Sequence, residues 1–170
     1  VVPFGGGTSV VDGVDVTDRL TVGVAFWEMN SVLDLDTETG EVRVQPGIGG
    51  PELERWLEAR GFTWGHIPQS WERATVGGYV ATRSAGQTST GFGRADATVT
   101  KLRIAAPVAD FDLGRAPGTA AGPDLKQVFL GSEGSFGIIT EIALGVRPLP
   151  EKNVYEGLLF PSFVAGKRPF

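Results

Sequence analysis

The pattern of polar and apolar positions along the chain predicts four strands. Segments 41–46 and 98–106 alternate polar with apolar side chains, and each runs into a proline. Segment 137–146 is rich in β-branched residues, which favour strands. We expect a further strand to begin within residues 155–160.

Two helices are predicted between these strands. Pro51 suits the first turn of a helix over residues 51–60, acidic residues come early in it, and Gly61 is a typical stop. Its apolar residues share one face and would be buried: Leu53, Trp56 and Leu57. A shorter helix is predicted from Asp124, as its cap, through Leu130. The fold class that follows is α+β with mixed sheets.

Composition narrows the function classes. With 15 Lys+Arg against 20 Asp+Glu, the net charge of −5 argues against a nucleic-acid binder. The chain has no Cys and one His, which excludes disulfides, thiolate metal sites, a cysteine nucleophile and a multi-histidine zinc site, so we expect no metal. No run of about 18 apolar residues suggests a membrane span. We therefore expect a cytoplasmic protein, and a piece of a longer chain, since it begins at Val1.

Glycine is concentrated in three segments that carry the candidate chemistry. Residues 3–10 follow two β-branched residues, which predicts a strand and then a glycine loop. The amides of such a loop can converge on a pyrophosphate, and Thr8 and Ser9 add hydroxyl groups. A loop that is merely flexible fits the same residues equally well.

The second and third segments each allow two interpretations. Residues 68–86 are small and rich in hydroxyl groups, so a flat ligand could lie against them, or they could pack a tight crossing from helix to strand. Residues 131–141 join a turn to a strand, which fits either a ligand contact or an ordinary β-turn.

Several long strings occur in an order that resembles a known family. They are PFGGGTSVV from Pro3, the block PGIGGPELERWLEARGF, the block GHIPQSWERATVGGYVATRSAG, and LGSEGSFGIITE from Leu130. They resemble the FAD-binding domain of the vanillyl-alcohol oxidase superfamily, and within it the alkyldihydroxyacetonephosphate synthase family and its bacterial FAD-binding oxidase homologues. The resemblance implies a PCMH-type domain of two subdomains over residues 1–150, with FAD in the crevice between them. Residues 151–170 would begin the following region, which leads to a cap domain.

The resemblance also implies which residues contact FAD. Contacts to the pyrophosphate are expected from Pro3, Phe4, Gly5, Gly6, Gly7, Thr8, Ser9 and Val10. The flavin and ribityl chain would be lined by Pro68, Gln69, Ser70, Ala74, Thr75, Gly78, Thr82, Arg83, Ser84 and Ala85. The adenosine half would be met, mostly through backbone, by Glu133, Gly134, Gly137, Ile138 and Ile139. Two positions depart from the family: Gln69 stands where an acidic residue is usual, and Arg115 does not align with the family's arginine before Gly122.

The function implied by the resemblance is synthesis of an ether-lipid precursor, in which a fatty alcohol replaces the acyl group of acyl-dihydroxyacetone phosphate. One alternative is an FAD-linked dehydrogenase or oxidase of a 2-hydroxy acid, and another is a non-catalytic FAD-binding module. The catalytic residues are left unassigned, and a small-molecule or lipid-precursor substrate would bind through the cap domain. A homodimer and peripheral attachment to a membrane are further expectations.

We expect FAD to be held without a covalent bond. In this superfamily such a bond uses a His or Cys side chain, and the loop over residues 5–9 contains neither. The single histidine, His66, is interpreted as a hydrogen-bonded structural residue.

Overall fold

A five-stranded antiparallel sheet forms the centre of the protein. The computed structural model describes residues 1–15, 20–114 and 120–167. The order of strands in this sheet is β3-β4-β8-β6-β7. Their bounds are β3 Val32–Asp36, β4 Glu41–Val44, β6 Val99–Ala105, β7 Asp110–Leu113 and β8 Ile138–Gly145.

The two faces of this sheet differ because successive side chains of a strand point to opposite sides. On one face Val42 lies opposite Leu144 and Leu102 lies opposite Ile142, and all four are buried in the core. The other face carries ion pairs, among them Arg43–Glu141 at 3.2 Å, Lys101–Glu41 at 2.8 Å and Arg103–Glu141 at 3.5 Å. The apolar face is the one that helices cover.

The remaining elements surround the sheet. The helices are α1 Gly50–Glu58, α2 Val76–Ala81, α3 Ser89–Phe92, α4 Lys126–Phe129 and α5 Phe163–Gly166, with a 3₁₀ turn at Ala95–Thr98. Two small sheets are formed by β1 Val2–Phe4 with β2 Gly23–Ala25, which are parallel, and by β5 Phe62–Thr63 with β9 Arg147–Pro148, which are antiparallel. The predicted α+β class is therefore confirmed.

The amphipathic helix α1 has the buried face that its spacing predicts. Leu53 and Leu57 are fully buried in the core. Trp56 is half-buried, and the Arg60 guanidinium lies 3.6 Å from the centre of its ring, a cation–π contact. Proline in the first turn opens the helix, and its last residue is Glu58.

Of the four strands predicted in the first place, three are confirmed as β4, β6 and β8, and the strand predicted before the glycine loop is confirmed as β1. The short second helix begins later than predicted. Asp124 accepts a hydrogen bond from the Lys126 amide at 3.2 Å, and α4 starts at Lys126. The strand predicted within residues 155–160 is wrong, since the structure describes these residues and assigns them no strand. Tyr155 and Leu159 are exposed there, and no strand among the described residues pairs with this β-prone run.

Candidate functional site

The three glycine-bearing segments meet around one cavity of about 490 Å³. One wall is the loop that follows β1, a second is α2 with its flanking residues, and a third is the turn before β8. These segments are far apart in sequence, so the cavity exists only because the chain folds back on itself. Its volume lies within the range of small-molecule and cofactor sites.

The loop after β1 places a row of backbone amides beside the cavity. Gly6, Gly7, Thr8 and Ser9 all line it, and their amides donate to no acceptor among the residues that the structure describes. The Ser9 hydroxyl accepts a hydrogen bond from the Gly13 amide at 3.2 Å, which curls the loop back on itself. Successive amides of this kind form an anion-binding concavity.

The short helix α2 starts beside this loop. Thr75 is its N-cap, and the Thr75 side chain accepts a hydrogen bond from the Gly78 amide at 3.2 Å. The Gly77 amide donates to the Pro46 carbonyl at 2.8 Å, which ties the first turn of α2 to the end of the β4 region. A Cβ at Gly5 would lie 2.5 Å from Thr75 Oγ1, so the glycine loop and the helix start are in close contact.

The paired glycines of α2 have different roles. A Cβ at Gly77 would lie 2.6 Å from Pro46 Cβ, so this glycine permits close packing, in agreement with the structural interpretation of the segment. At Gly78 a Cβ would meet nothing nearer than Thr75 Oγ1 at 3.4 Å, and the residue lines the cavity. Gly78 therefore leaves room that a side chain would fill.

Arg83 holds the cavity wall to its neighbours. Its guanidinium donates to the Leu130 carbonyl at 2.9 Å, to Asp96 at 2.9 Å, and to the carbonyl and side chain of Gln127 at 3.1 and 3.0 Å. The residue also has φ of 51°, a conformation that costs free energy unless the surroundings impose it. Arg83 lines the cavity, but its charged group is bound by the protein itself.

The carboxylate of Asp96 is the ionic anchor of this network. Burial alone would raise its pKa, but hydrogen bonds and positive charge from Arg94 and Arg83 outweigh burial, and the pKa is lowered. The charged side chains among the lining residues are Arg83, whose guanidinium is bound by this network, and Glu133. The Glu133 carboxylate lies beside the glycine loop, with its Oε2 3.0 Å from where a Cβ on Gly13 would be.

The turn before β8 is joined directly to the end of α2. The Glu133 amide donates to the Ala81 carbonyl at 3.1 Å, and Glu133 has φ of 52°. Like Arg83, it is a non-glycine residue in the left-handed region at the cavity wall. Such residues cluster at binding sites, where the fold imposes them.

The single histidine lies behind the wall rather than in it. His66 is 2% exposed and is absent from the cavity lining. Its Nε2 lies 3.2 Å from Ser84 Oγ, and Ser84 does line the cavity. Burial lowers the His66 pKa to about 4, and it raises the pKa of neighbouring Tyr79 to about 12. The interpretation of His66 as a hydrogen-bonded structural residue agrees with this placement.

Nearly all of the predicted cofactor residues line the cavity; the two exceptions are Phe4 and Ile138. The Phe4 ring packs beneath Gly7, with its Cζ 2.8 Å from where a Cβ on Gly7 would lie. Ile138 neighbours Ile139 in β8, and adjacent strand residues point to opposite faces. Arg115 lies outside the described residues.

Sequence reasoning missed several lining residues. They are Val11, Gly13, Val14, Phe26, Pro46, Gly77, Tyr79, Ala81 and Ser132. Most continue a segment that was already identified, so a wider window around each motif would have found them. Phe26 and Pro46 belong to other parts of the chain, and no local signal marks them.

The sequence matches the family described as "FAD binding domain" over residues 1–109. An alkyldihydroxyacetonephosphate synthase of Trypanosoma brucei brucei is 38% identical over 96% of this chain and 27% of its own length. A mitochondrial D-lactate dehydrogenase (cytochrome) of Arabidopsis thaliana is 35% identical over 95% of this chain and 28% of its own length. A solved alkyldihydroxyacetonephosphate synthase structure superimposes with a TM-score of 0.83 at 36% identity, covering 89% of this chain and 28% of that one.

The fold and the site together define a flavin-binding protein of the PCMH type. The chain belongs to the FAD binding domain family. It spans about a quarter of the length of the curated relatives described above. Within the described part of the chain, no helix has the length and apolar character needed to cross a bilayer.

Proposed function

We propose that the cavity is the FAD site and that FAD is held there without a covalent bond. The observation that carries this proposal is the row of amides at residues 6–9, which have no acceptor among the described residues and belong to a loop that lines a cavity shared with two other distant segments. The pyrophosphate would lie on these amides. The flavin and ribityl chain would lie along residues 68–85, and the adenosine half along residues 133–139.

The residues present suit an FAD molecule. The pyrophosphate needs several converging donors, and the loop supplies amides together with the hydroxyls of Thr8 and Ser9. Because residue 78 is glycine, the space beside it is open to part of the FAD molecule, and a larger side chain at this position would fill that space. The rest of the lining combines small apolar residues with polar side chains that could orient the flavin, among them Gln69, Ser70 and Ser84.

Placement of the histidine supports non-covalent retention. A covalent link through His or Cys needs that side chain at the flavin, and the chain has no Cys and one His. His66 is buried behind Ser84, with its ring centre 4.8 Å from that of Trp64 and 5.1 Å from that of Tyr79. Its nitrogens therefore do not reach the cavity.

We propose further that this domain serves an enzyme of the alkyldihydroxyacetonephosphate synthase type. When bound, FAD supplies an electron-accepting ring that can take a substrate carbon or a hydride. The proposed reaction exchanges the acyl group of acyl-dihydroxyacetone phosphate for a fatty alcohol and releases a fatty acid. A relative of that name shares 38% of the residues, and a solved structure of that name superimposes closely. Oxidation of a 2-hydroxy acid is the second candidate, because D-lactate dehydrogenase is also a relative.

Domain organisation follows as part of the same proposal. Residues 1–150 would form the FAD-binding domain, because all five strands of the central sheet and the whole cavity lining fall within them. Residues 151–170 would begin a region that leads to a cap domain, which would hold a small-molecule or lipid-precursor substrate. A homodimer is the proposed assembly.

Two experiments test the proposal at its two levels. Titration of the chain with FAD, followed by flavin fluorescence, should show saturable binding, and its absence from folded protein would overturn the assignment of the cavity.

The activity is tested on the intact polypeptide that contains this chain. Incubation with acyl-dihydroxyacetone phosphate and a fatty alcohol should yield the ether product and free fatty acid. Reduction of a dye by a 2-hydroxy acid, without ether formation, would favour the second candidate.

A further inference from the structure

The pair formed by His66 and Ser84 is fixed rigidly at the cavity wall. The Ser84 amide donates to the Tyr79 carbonyl at 2.8 Å, and the Ser84 carbonyl accepts from the Ala95 amide at 3.0 Å. Both sides of the Ser84 backbone are thus held, while His66 Nε2 meets its hydroxyl at 3.2 Å. These contacts leave two directions for the Ser84 hydroxyl proton, one toward His66 Nε2 and one toward the cavity.

The bond between the two side chains does not by itself decide that direction. A serine hydroxyl can donate or accept, so it can pair with Nε2 whether or not Nε2 carries the proton. If Nε2 lacks the proton, the Ser84 hydroxyl must donate to Nε2, and only the lone pairs of the Ser84 oxygen are then available to a ligand in the cavity. If Nε2 carries the proton, Ser84 accepts from it and its own proton is available to a ligand.

The environment of the other ring nitrogen decides between these two states. Nδ1 of His66 is buried and has no hydrogen-bond partner among the residues that the structure describes. The polar atoms of the flanking rings are engaged elsewhere, since the Trp64 indole donates to Thr98 at 2.8 Å and the Tyr79 hydroxyl donates to the Trp71 carbonyl at 3.1 Å. A proton on Nδ1 would be a buried donor without an acceptor, and folded proteins tolerate orphaned donors less well than orphaned acceptors.

We propose that His66 carries its proton on Nε2 and donates it to Ser84, which turns the Ser84 hydroxyl proton toward the cavity as a hydrogen-bond donor to the bound cofactor. The group that it meets would be an acceptor, such as a carbonyl oxygen or an unprotonated ring nitrogen. His66 is then a positioning residue that sets the polarity of this part of the wall. The cofactor half of the inference rests on the proposed FAD site.

The protonated nitrogen can be observed directly, without any cofactor. The chain contains one histidine, so the imidazole nitrogen signals of ¹⁵N-labelled protein belong to His66 without ambiguity. Near neutral pH the proposal expects a pyrrole-type signal for Nε2 and a pyridine-type signal for Nδ1. The reverse assignment, or a doubly protonated ring, would overturn it.

A matched pair of variants tests the consequence for binding. His66→Gln places an amide N–H near the position of Nε2, whereas His66→Asn places it near Nδ1. FAD affinity should be retained in His66→Gln and reduced about tenfold in both His66→Asn and Ser84→Ala, since one hydrogen bond to the cofactor is lost. The double variant His66→Asn/Ser84→Ala should bind no more weakly than Ser84→Ala, because His66 acts through that hydroxyl.

These experiments distinguish failure of the His66–Ser84 positioning role from failure of the proposed FAD site. Equal affinity loss in His66→Gln and His66→Asn, or unchanged affinity in Ser84→Ala, would overturn the positioning role. Failure of the unsubstituted chain to bind FAD would contradict the proposed function, and the nitrogen signals would still decide where the proton lies. Unfolding measurements on both His66 variants identify any loss that comes from misfolding.

Discussion

Gly6 lies so close to Arg73 that a β-carbon on residue 6 would overlap the Arg73 carbonyl group. The missing side chain of Gly6 thus faces the protein's own backbone rather than the cavity. Within the three-glycine run, positive φ occurs at Gly7, so backbone conformation is not what requires glycine at position 6. Close packing of two loops is what requires glycine at position 6.

Gly6→Val should therefore destabilise the fold. Overlap with backbone forces the two loops apart, at a cost of about 1–3 kcal/mol or more in the free energy of unfolding. Chemical denaturation would measure this loss, and FAD affinity should fall with it because the amide row is displaced. Normal stability in Gly6→Val would show that the loop can shift at little cost.

Gly78→Val should weaken FAD binding without the loss of stability expected for Gly6→Val. Its side chain would enter open cavity space, so FAD affinity should fall by about tenfold or more while stability changes little. Gly91→Val is the matched control, because Gly91 is also helical, has open space around it and is absent from the cavity lining. Equal affinity for FAD in the two variants would argue that FAD does not occupy the space beside Gly78.

The chain should bind FAD more tightly than FMN. FMN lacks the adenosine half and one phosphate, so it cannot use the turn at residues 133–139 and uses the amide row incompletely. We expect a difference of at least about tenfold in dissociation constant, measured by parallel fluorescence titrations. Comparable affinities would place the adenosine contacts elsewhere.

FAD should leave the protein on denaturation. Acid precipitation of the reconstituted protein should release all the yellow colour and fluorescence to the supernatant, because His66 is enclosed behind Ser84. Flavin that remained in the pellet, or that migrated with the band on a denaturing gel, would reveal a covalent bond. His66→Gln would then identify the residue responsible.

Stability should fall as the pH drops from about 6.5 to about 4. In the unfolded chain His66 binds a proton with its ordinary pKa of 6.5, whereas burial lowers the pKa to about 4 in the folded protein. Between these values the unfolded state binds more protons, so acid favours unfolding, by up to roughly 3 kcal/mol at the low end. The decline should be much smaller in His66→Gln, where carboxyl groups with a lowered pKa, such as Asp96, still lose stability toward the acid end. Denaturation at several pH values compares the two proteins.

Arg83→Ala should lower the free energy of unfolding more than Arg94→Ala does. Both side chains pair with buried Asp96, but Arg83 also holds Leu130 and Gln127, while Arg94 is more than half exposed. We expect a loss of about 2–3 kcal/mol for Arg83→Ala and about 1 kcal/mol or less for Arg94→Ala. Similar losses would mean that the additional hydrogen bonds contribute little.

Local sequence patterns were sufficient for the elements with strong periodicity. The helix α1 and the strands β4 and β6 were predicted because their spacing of apolar residues reflects which side each residue buries, and β8 because of its β-branched residues. The same reasoning was wrong at residues 155–160, where β-prone residues have no strand beside them. Pairing depends on residues elsewhere in the chain, and a local pattern does not contain that information.

The sequence by itself also determined the three glycine segments and, through resemblance, the cofactor. Tertiary structure alone decided how these residues are used: Gly6 packs on Arg73, and Phe26 and Pro46 complete the cavity. It also turned His66 toward Ser84 instead of the cavity. Residue types and spacing encode local geometry, whereas these roles arise from contacts between segments distant in sequence, which form only when the core packs.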